Sequence, residues 1–401
     1  MSFLPLRGVR VVDFCSNIAG PLGSMILAQL GADVVAVESP KGDDSRHYAS
    51  QVDDVSVVYR YVGAGKRSVV VDLKTPEGVE VALALIERAD VVLQSMRPGV
   101  TDRLGIGIAA AKERNPSVLY YDVNAFGTGP TGSALPGYDP LVQAFSGIME
   151  MTGYDDGPPA RCAPSVIDLG TGQWIALGVV AAVLARSQGE EIGHLETSLV
   201  DTAFSLVAYQ ATSAQVSGVR PPRSGSGNPI AAPYQCYQAR DGHVLIAAAN
   251  QRLWEATARA LGAPELIDDD RFADVAARTR HLAELEEAIT AITSTAGVDE
   301  WVERLAAAKV PAGKVLGLEE AVTTEVANER GTFQPSDGVP LVRLPWLADG
   351  AALDWQRPAP QLGQHTAEVL DELGYGSARV AELLERGVVA SPANELTKEL
   401  A

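Results

Sequence analysis

Asp168 is the side chain best placed for chemistry. It lies in Ser165-Val166-Ile167-Asp168-Leu169-Gly170-Thr171-Gly172, which reads as an apolar strand end running into a long apolar helix, where a carboxylate is held rigidly yet stays within reach of a ligand. Such a group can act as an oxygen nucleophile. An aspartate at a helix start also caps the first amides, and on position alone capping is the commoner role. Two glycines within four residues leave more backbone room than a cap requires, which suits close approach of a ligand. Ser224-Gly225-Ser226-Gly227-Asn228-Pro229 can form a lid over a reacting carbonyl, although by itself such a run is more often an interdomain linker.

A second group of residues suits an anion. Gly65-Lys66-Arg67-Ser68 and Lys74 flank one apolar run, and Arg97-Pro98-Gly99 and Arg103 follow another, so both clusters can meet at one sheet edge. Exposed Lys and Arg are more often plain surface. Met96 can pack on a ring such as adenine, though a core methionine is the commoner case. Ile18-Ala19-Gly20-Pro21-Leu22-Gly23 sits between a strand and a helix, where a phosphate docks. Glu38 imitates the ribose-binding acid of dinucleotide folds, but the glycine spacing is not GxGxxG, so a nicotinamide-dependent oxidoreductase is a remote alternative. The five histidines and three cysteines are scattered without CxxC or HExxH, so no metal site is expected. No GxSxG serine is present.

These residues need elements to position them. The N-terminal third alternates VRVVDF, ADVVAVE, SVVVDL, ADVVLQ and SVLYYDV with amphipathic stretches such as Pro21–Leu30 and Pro76–Arg88. That alternation predicts an α/β domain with a parallel sheet and crossover helices. Continuous apolar strands imply burial on both faces. The helical pattern from Ser198 to about Gln215 leads into the Pro/Gly/Ser-rich run, then a hairpin around Arg240-Asp241-Gly242 and three helical stretches between Leu253 and Ala308, a smaller α+β domain. The expected boundaries are 1–200 for the large domain, 201–228 for a linker with the glycine loop, 229–325 for the small domain, 326–361 for a return linker and 362–401 for helices rejoining the large domain.

Composition narrows the classes. With 46% hydrophobic and 21% charged residues in 401, the chain has the apolar surface to collapse into two or three domains. The most apolar run, Gln173–Arg186, falls short of the roughly 18 to 20 residues a bilayer demands and reads as a helix buried in protein, so no membrane is expected. The start lacks signal-peptide features and the cysteines are few, which points to the cytoplasm. A net charge of −19 argues against nucleic acid. Residues 1–120 carry 13 Lys+Arg against 14 Asp+Glu, a balance of −1, and the remainder 19 against 37, or −18, so a small anion belongs with the N-terminal third.

Taken in order, Leu6-Arg7-Gly8, Ala19-Gly20-Pro21, Leu30-Gly31-Ala32-Asp33-Val34, Gly65-Lys66-Arg67-Ser68, Asp72-Leu73-Lys74-Thr75-Pro76-Glu77-Gly78, Arg97-Pro98-Gly99, Gly137-Tyr138-Asp139, Asp168-Leu169-Gly170-Thr171-Gly172 and Leu362-Gly363-Gln364-His365-Thr366 resemble the family III CoA-transferases, which include formyl-CoA:oxalate and carnitine CoA-transferases and α-methylacyl-CoA racemase. The resemblance implies a Rossmann-like large domain, an interlocked homodimer, and acyl-CoA and a carboxylic acid as substrates, with no permanently bound cofactor. It puts the nucleophile on Asp168, further catalytic contacts on Tyr138, Gly225 and Gly227, and CoA contacts on Ile18, Ala19, Leu73, Lys74, Ser95, Met96, Arg97 and Arg103. The acid is expected against Tyr138, the segment around Trp174 and the glycine loop. Departures are Ile18 in a slot where some members have glutamine, Ser95-Met96 for Asn-Phe, and Gly63 for Asn. A racemase is the alternative within the family, but its histidine slot holds Tyr138 and its glutamate slot Asn250, and a tyrosine of ordinary pKa near 10 is a poor proton shuttle. A CoA-binding module without catalysis is the more distant reading.

Overall fold

The computed structural model describes residues 3–392. Its largest sheet has seven strands: β1 (Arg10–Phe14), β2 (Asp33–Glu38), β3 (Arg67–Val71), β4 (Val91–Gln94), β5 (Leu119–Asn124), β6 (His194–Ser198) and β7 (Val389–Ala390). Their order is β7-β3-β2-β1-β4-β5-β6. All neighbours are parallel except β7, which runs antiparallel to β3. The unbroken Val/Leu/Tyr runs of the strands face two separate apolar clusters, one on each side of the sheet, as parallel strands between helical layers require.

The order reverses at β1, whose neighbours are β2 and β4. The loops after β1 and β4 therefore leave in opposite directions and open a crevice at the carboxyl ends of the strands. Crossover helices α1 (Ala19–Gln29) and α2 (Pro76–Glu87) follow β1 and β3. Thr75 Oγ1 accepts from Gly78 N–H at 3.0 Å and starts α2, the cap and N1 proline that the sequence announces. Short helices α3 (Val100–Leu104) and α4 (Asp139–Phe145) come next.

Helix α5 (Val166–Ser187) corrects the sequence reading in two ways. Ser165–Asp168 is not a strand end: the helix opens at Val166, so Asp168 lies in its first turn. Nor is the helix buried all round. Ile167, Thr171, Gly172, Ile175, Ala176, Val179 and Ala182 are buried, whereas Trp174, Leu177 and Leu184 are about half exposed. At 22 residues it is long and apolar enough to cross a membrane by length and composition, but one face packs on α1. A Cβ on Gly172 would meet Leu22 at 2.8 Å and one on Gly23 would meet Ile175 at 2.8 Å, so these two glycines set how closely the helices approach.

The described residues divide into two compact units, one of 3–146, 163–208 and 328–392, the other of 147–162 and 209–327. The sequence reading put 147–162 in the large domain. They belong with the second unit, where Arg223 donates to the Glu150 carbonyl and carboxylate, each at 2.9 Å, and to the Gly157 carbonyl. Nor is 326–361 a bare linker: it contains a hairpin of Phe333–Ser336 and Val339–Val342 and lends Val339, Leu341, Leu344 and Leu353 to the core beside α1. The second unit has a three-stranded antiparallel sheet with Gly242–Ala247 in the centre. Between Asn250 and Ala308 it carries four α-helices rather than three, Gln251–Ala260, Val275–Arg280, Leu282–Thr293 and Val298–Ala307, because Leu282 restarts the helix after His281.

Candidate active site

The crevice at the strand ends is a cleft of about 450 Å³ lined by Phe14, Cys15 and Ser16 after β1, the 37–44 segment after β2, Val71 to Lys74 after β3, and Met96 and Leu104 beyond β4. Of the expected CoA contacts, Leu73, Lys74 and Met96 line it. Ser95 borders it, its Oγ accepting from Ser16 N–H at 3.0 Å, and the Met96 amide is held by Gln94 Oε1 at 2.7 Å. Ile18 and Ala19 stand at the start of α1. Arg97 and Arg103 flank Gly99, whose φ of 77° turns the chain into α3. Both are exposed, as is Lys41, a lining residue the sequence reading missed. Among the described residues none of Lys41, Lys74, Arg97 and Arg103 joins an ion pair. Unpaired cations around a cleft in a strongly acidic chain suit phosphate groups.

The other half of the expected cation cluster does not belong to this cleft. Lys66 is buried and bonded to Asp13 at 3.1 Å, and Asp13 also takes the Ser24 hydroxyl. Arg67 is buried against Asp33, Glu368 and Glu372. A buried cation needs its counter-charge, so both side chains are satisfied within the protein. Burial, then the Asp13 charge, pushes the thiol of Cys15, beside that pair, well above the usual value, which disfavours the reactive thiolate.

Just before α1 the site changes character. Asn17 has φ 70°; its N–H donates to Asp43 Oδ2 at 3.1 Å and its side-chain carbonyl accepts from the Tyr48 hydroxyl. Tyr48 is raised by burial and by the charges of Asp43, Asp44, Tyr138 and Asp168. Burial likewise raises Asp43. Tyr138 precedes α4 and is exposed.

Asp168 does not cap its helix. The two front amides go elsewhere: Ile167 N–H and Asp168 N–H donate to Asp139 Oδ2 at 2.9 and 3.2 Å. Ser165, at the N-cap position, makes no side-chain cap bond. The Asp168 carboxylate joins no ion pair among the described residues. Burial first, and the Asp139 charge second, raise it from 3.8 to about 7. A partly desolvated carboxylate with no ion-pair partner among the described residues is where a functional group is found. The sequence reading noted Asp139 only as part of Gly137-Tyr138-Asp139; the Asp-Pro pair at a helix start was the available signal.

The glycine loop lies in the second unit. Gly225 has φ 56°, and its amide donates to Gly153 O at 2.9 Å. The Gly227 amide donates to Ser224 O at 2.6 Å. In this conformation both amides expected to cover a reacting carbonyl are already engaged. A Cβ at Gly225 would lie 2.3 Å from the Tyr154 ring, so ring and loop are packed together.

Fold and site define an α/β protein with a large, mostly parallel sheet, a cleft bordered by unpaired cations, and a carboxylate without an ion-pair partner among the described residues. The sequence pattern of CoA-transferase family III matches residues 6–366, and the chain belongs to that family; it is a CoA-transferase acting on CoA thioesters. It is 32% identical to a succinate–glutarate CoA-transferase of Agrobacterium fabrum over 92% of this chain and 96% of the relative. To an acetyl-CoA:oxalate CoA-transferase of Acetobacter aceti it is 33% identical over 94% and 97%. A crystal structure of a CAIB/BAIF family protein from Brucella suis superposes with a TM-score of 0.83 at 32% identity, covering 92% of this chain and 99% of that one.

Proposed function

We propose that the enzyme transfers CoA from an acyl-CoA to a carboxylic acid through covalent intermediates on Asp168. The carboxylate oxygen attacks the thioester carbonyl, the C–S bond breaks, and CoA leaves as thiolate from a mixed anhydride. The thiolate attacks the aspartyl carbonyl, expelling the donor acid as carboxylate and leaving an aspartyl-CoA thioester. The acceptor carboxylate reverses both steps, ending with Asp168 ionised. No net proton is consumed. Holding both partners together supplies up to roughly 7 to 11 kcal/mol, which is why an oxygen nucleophile suffices.

The observation that carries this reading is the free Asp168 carboxylate, with its helix amides satisfied by Asp139. Lys74, Arg97, Arg103 and Lys41 hold the nucleotide phosphates, Met96 packs on the base, and the Rossmann-like crevice at β1 receives them. Relatives are named for oxalate, succinate, glutarate and mesaconate, so small dicarboxylic acids are the acceptors to screen first. A homodimer, the partnership implied by the resemblance, would cover the exposed Trp174, Leu177 and Leu184 of α5 together with Phe145 and Phe204. We assign the enzyme to the cytoplasm.

The test is incubation with succinyl-CoA, then intact-protein and peptide mass spectrometry. A CoA adduct on the Asp168 peptide, absent in Asp168→Ala and Asp168→Ser, is expected. Turnover surviving in both variants overturns the mechanism.

A further inference from the structure

The front of α5 solves a capping problem in an unusual way. Ser165 stands at the N-cap and Asp168 three residues on, a pair able to satisfy the first amides locally. Neither does so. The acceptor is Asp139, the first residue of α4, 2% exposed. One oxygen takes both amides and the other takes Gln143 Nε2 at 2.6 Å, one turn along the same helix. A cap alone needs only a hydroxyl. Placing a second carboxylate beside Asp168 in a partly desolvated site is costly, and local rules broken at a cost cluster at functional sites.

We propose that Asp139 is the positioning residue of Asp168. By occupying the helix amides from α4, it keeps the Asp168 carboxylate out of the cap and turned free for the acyl carbon. Its charge then adds to burial in keeping the Asp168 oxygens basic, and a more basic oxygen is the better nucleophile once ionised. Other ionisable groups on the packed elements are few. Helix α1 has none. The 199–206 helix has Asp201, tied to Ser198. The loop after β2 brings Tyr48 and Asp43, and Tyr138 adjoins Asp139. Arg186 is on the last turn of α5, bonded to Asp90 at 3.2 Å. No cation in this set competes with Asp139 for the Asp168 charge.

This inference rests on Asp168 being the nucleophile, and its test is built to fail separately. A water-soluble carbodiimide labels protonated carboxyls, and peptide mass spectrometry reads labelling of Asp168 against pH in the full-length enzyme without substrate. Wild type should lose label with a midpoint at about 7. Asp139→Asn keeps an oxygen for the amides but no charge, so the midpoint moves to lower pH while staying above that of an ordinary carboxylate, because burial remains. In Asp139→Ala the amides lose their acceptor and Asp168 turns to cap them. Its kcat with succinyl-CoA and glutarate should fall about a hundredfold, the scale of a misplaced reacting group, with KM for succinyl-CoA unchanged. Asp139→Asn should recover most of that kcat. An unmoved midpoint in Asp139→Asn overturns the proposal, even where Asp139→Ala does not fold. If wild type forms no CoA adduct on Asp168, the mechanism falls instead, while the labelling midpoints still report on the Asp139–Asp168 pair.

Discussion

The two ends of the site handle charge in opposite ways. Around the cleft Lys41, Lys74, Arg97 and Arg103 are exposed and lack ion-pair partners among the described residues. At the front of α5, Asp139 lies beside Asp168, with Tyr48 in electrostatic reach, and among the described residues no cation pairs with Asp168. Asn17 joins the two ends, its backbone bonded to Asp43, a cleft residue, and its side chain to Tyr48. Solvated charges attract a polyanionic ligand over distance and fade with salt; a desolvated carboxylate acts only on contact. On the proposed mechanism, recognition uses charge in water and chemistry uses charge kept from water.

The largest effect should come from the reaction end. Asp168→Ala or Asp168→Ser should lower kcat on the order of 10⁴-fold or more, the scale of nucleophile deletions, with acyl-CoA still bound in calorimetry. A variant that turns over at wild-type rate contradicts the division. At the recognition end, Lys74→Ala should raise KM for acyl-CoA by tenfold or somewhat more, given about 1.5 to 3 kcal/mol per charge-assisted bond, and leave kcat alone. Its KM should also rise less steeply with salt than the wild-type value; parallel salt slopes would show that Lys74 does not meet the phosphates.

Acidity sharpens the same contrast. Asp168 must be ionised to attack, so turnover should fall as pH drops through about 7, and a limb near 4 would mean the carboxylate is well solvated. Stability should run the other way. A carboxyl whose pKa is raised on folding favours the native state most when protonated, so its contribution is lost as pH rises towards 7. Asp168→Asn should therefore stabilise the protein at pH 8 by on the order of 2 kcal/mol, discounted from 1.36 per pKa unit for solvent relaxation, and by little at pH 4, read as melting temperature. The smallest effect belongs to the joint. Tyr48→Phe removes the bond to Asn17 and should lower kcat several-fold, matching the roughly 0.5 to 1.5 kcal/mol of a neutral hydrogen bond; no change would detach Asn17 from catalysis.

Much of this was readable beforehand. The β-branched runs and Thr75-Pro76 carry local signals, and the sheet and α2 followed from them. Lys66 and Arg67 misled because their types announce a charge but not whether it is matched, and their partners Asp13, Asp33 and Glu372 are far away in the chain. Lys41 was overlooked because no pattern marks it; it lines the cleft through the strand order alone.

Alternation of strand and helix, the apolar run of α5 and an acid near its start are properties of neighbouring residues, and the chain determines them by itself. Whether that acid caps, pairs or stays free depends on Asp139, which is 29 residues away and arrives only when α4 packs on α5. Hydrogen bonds and desolvation act over a few ångströms of space whatever the separation along the chain, so the tertiary structure alone decided what Asp168 is free to do.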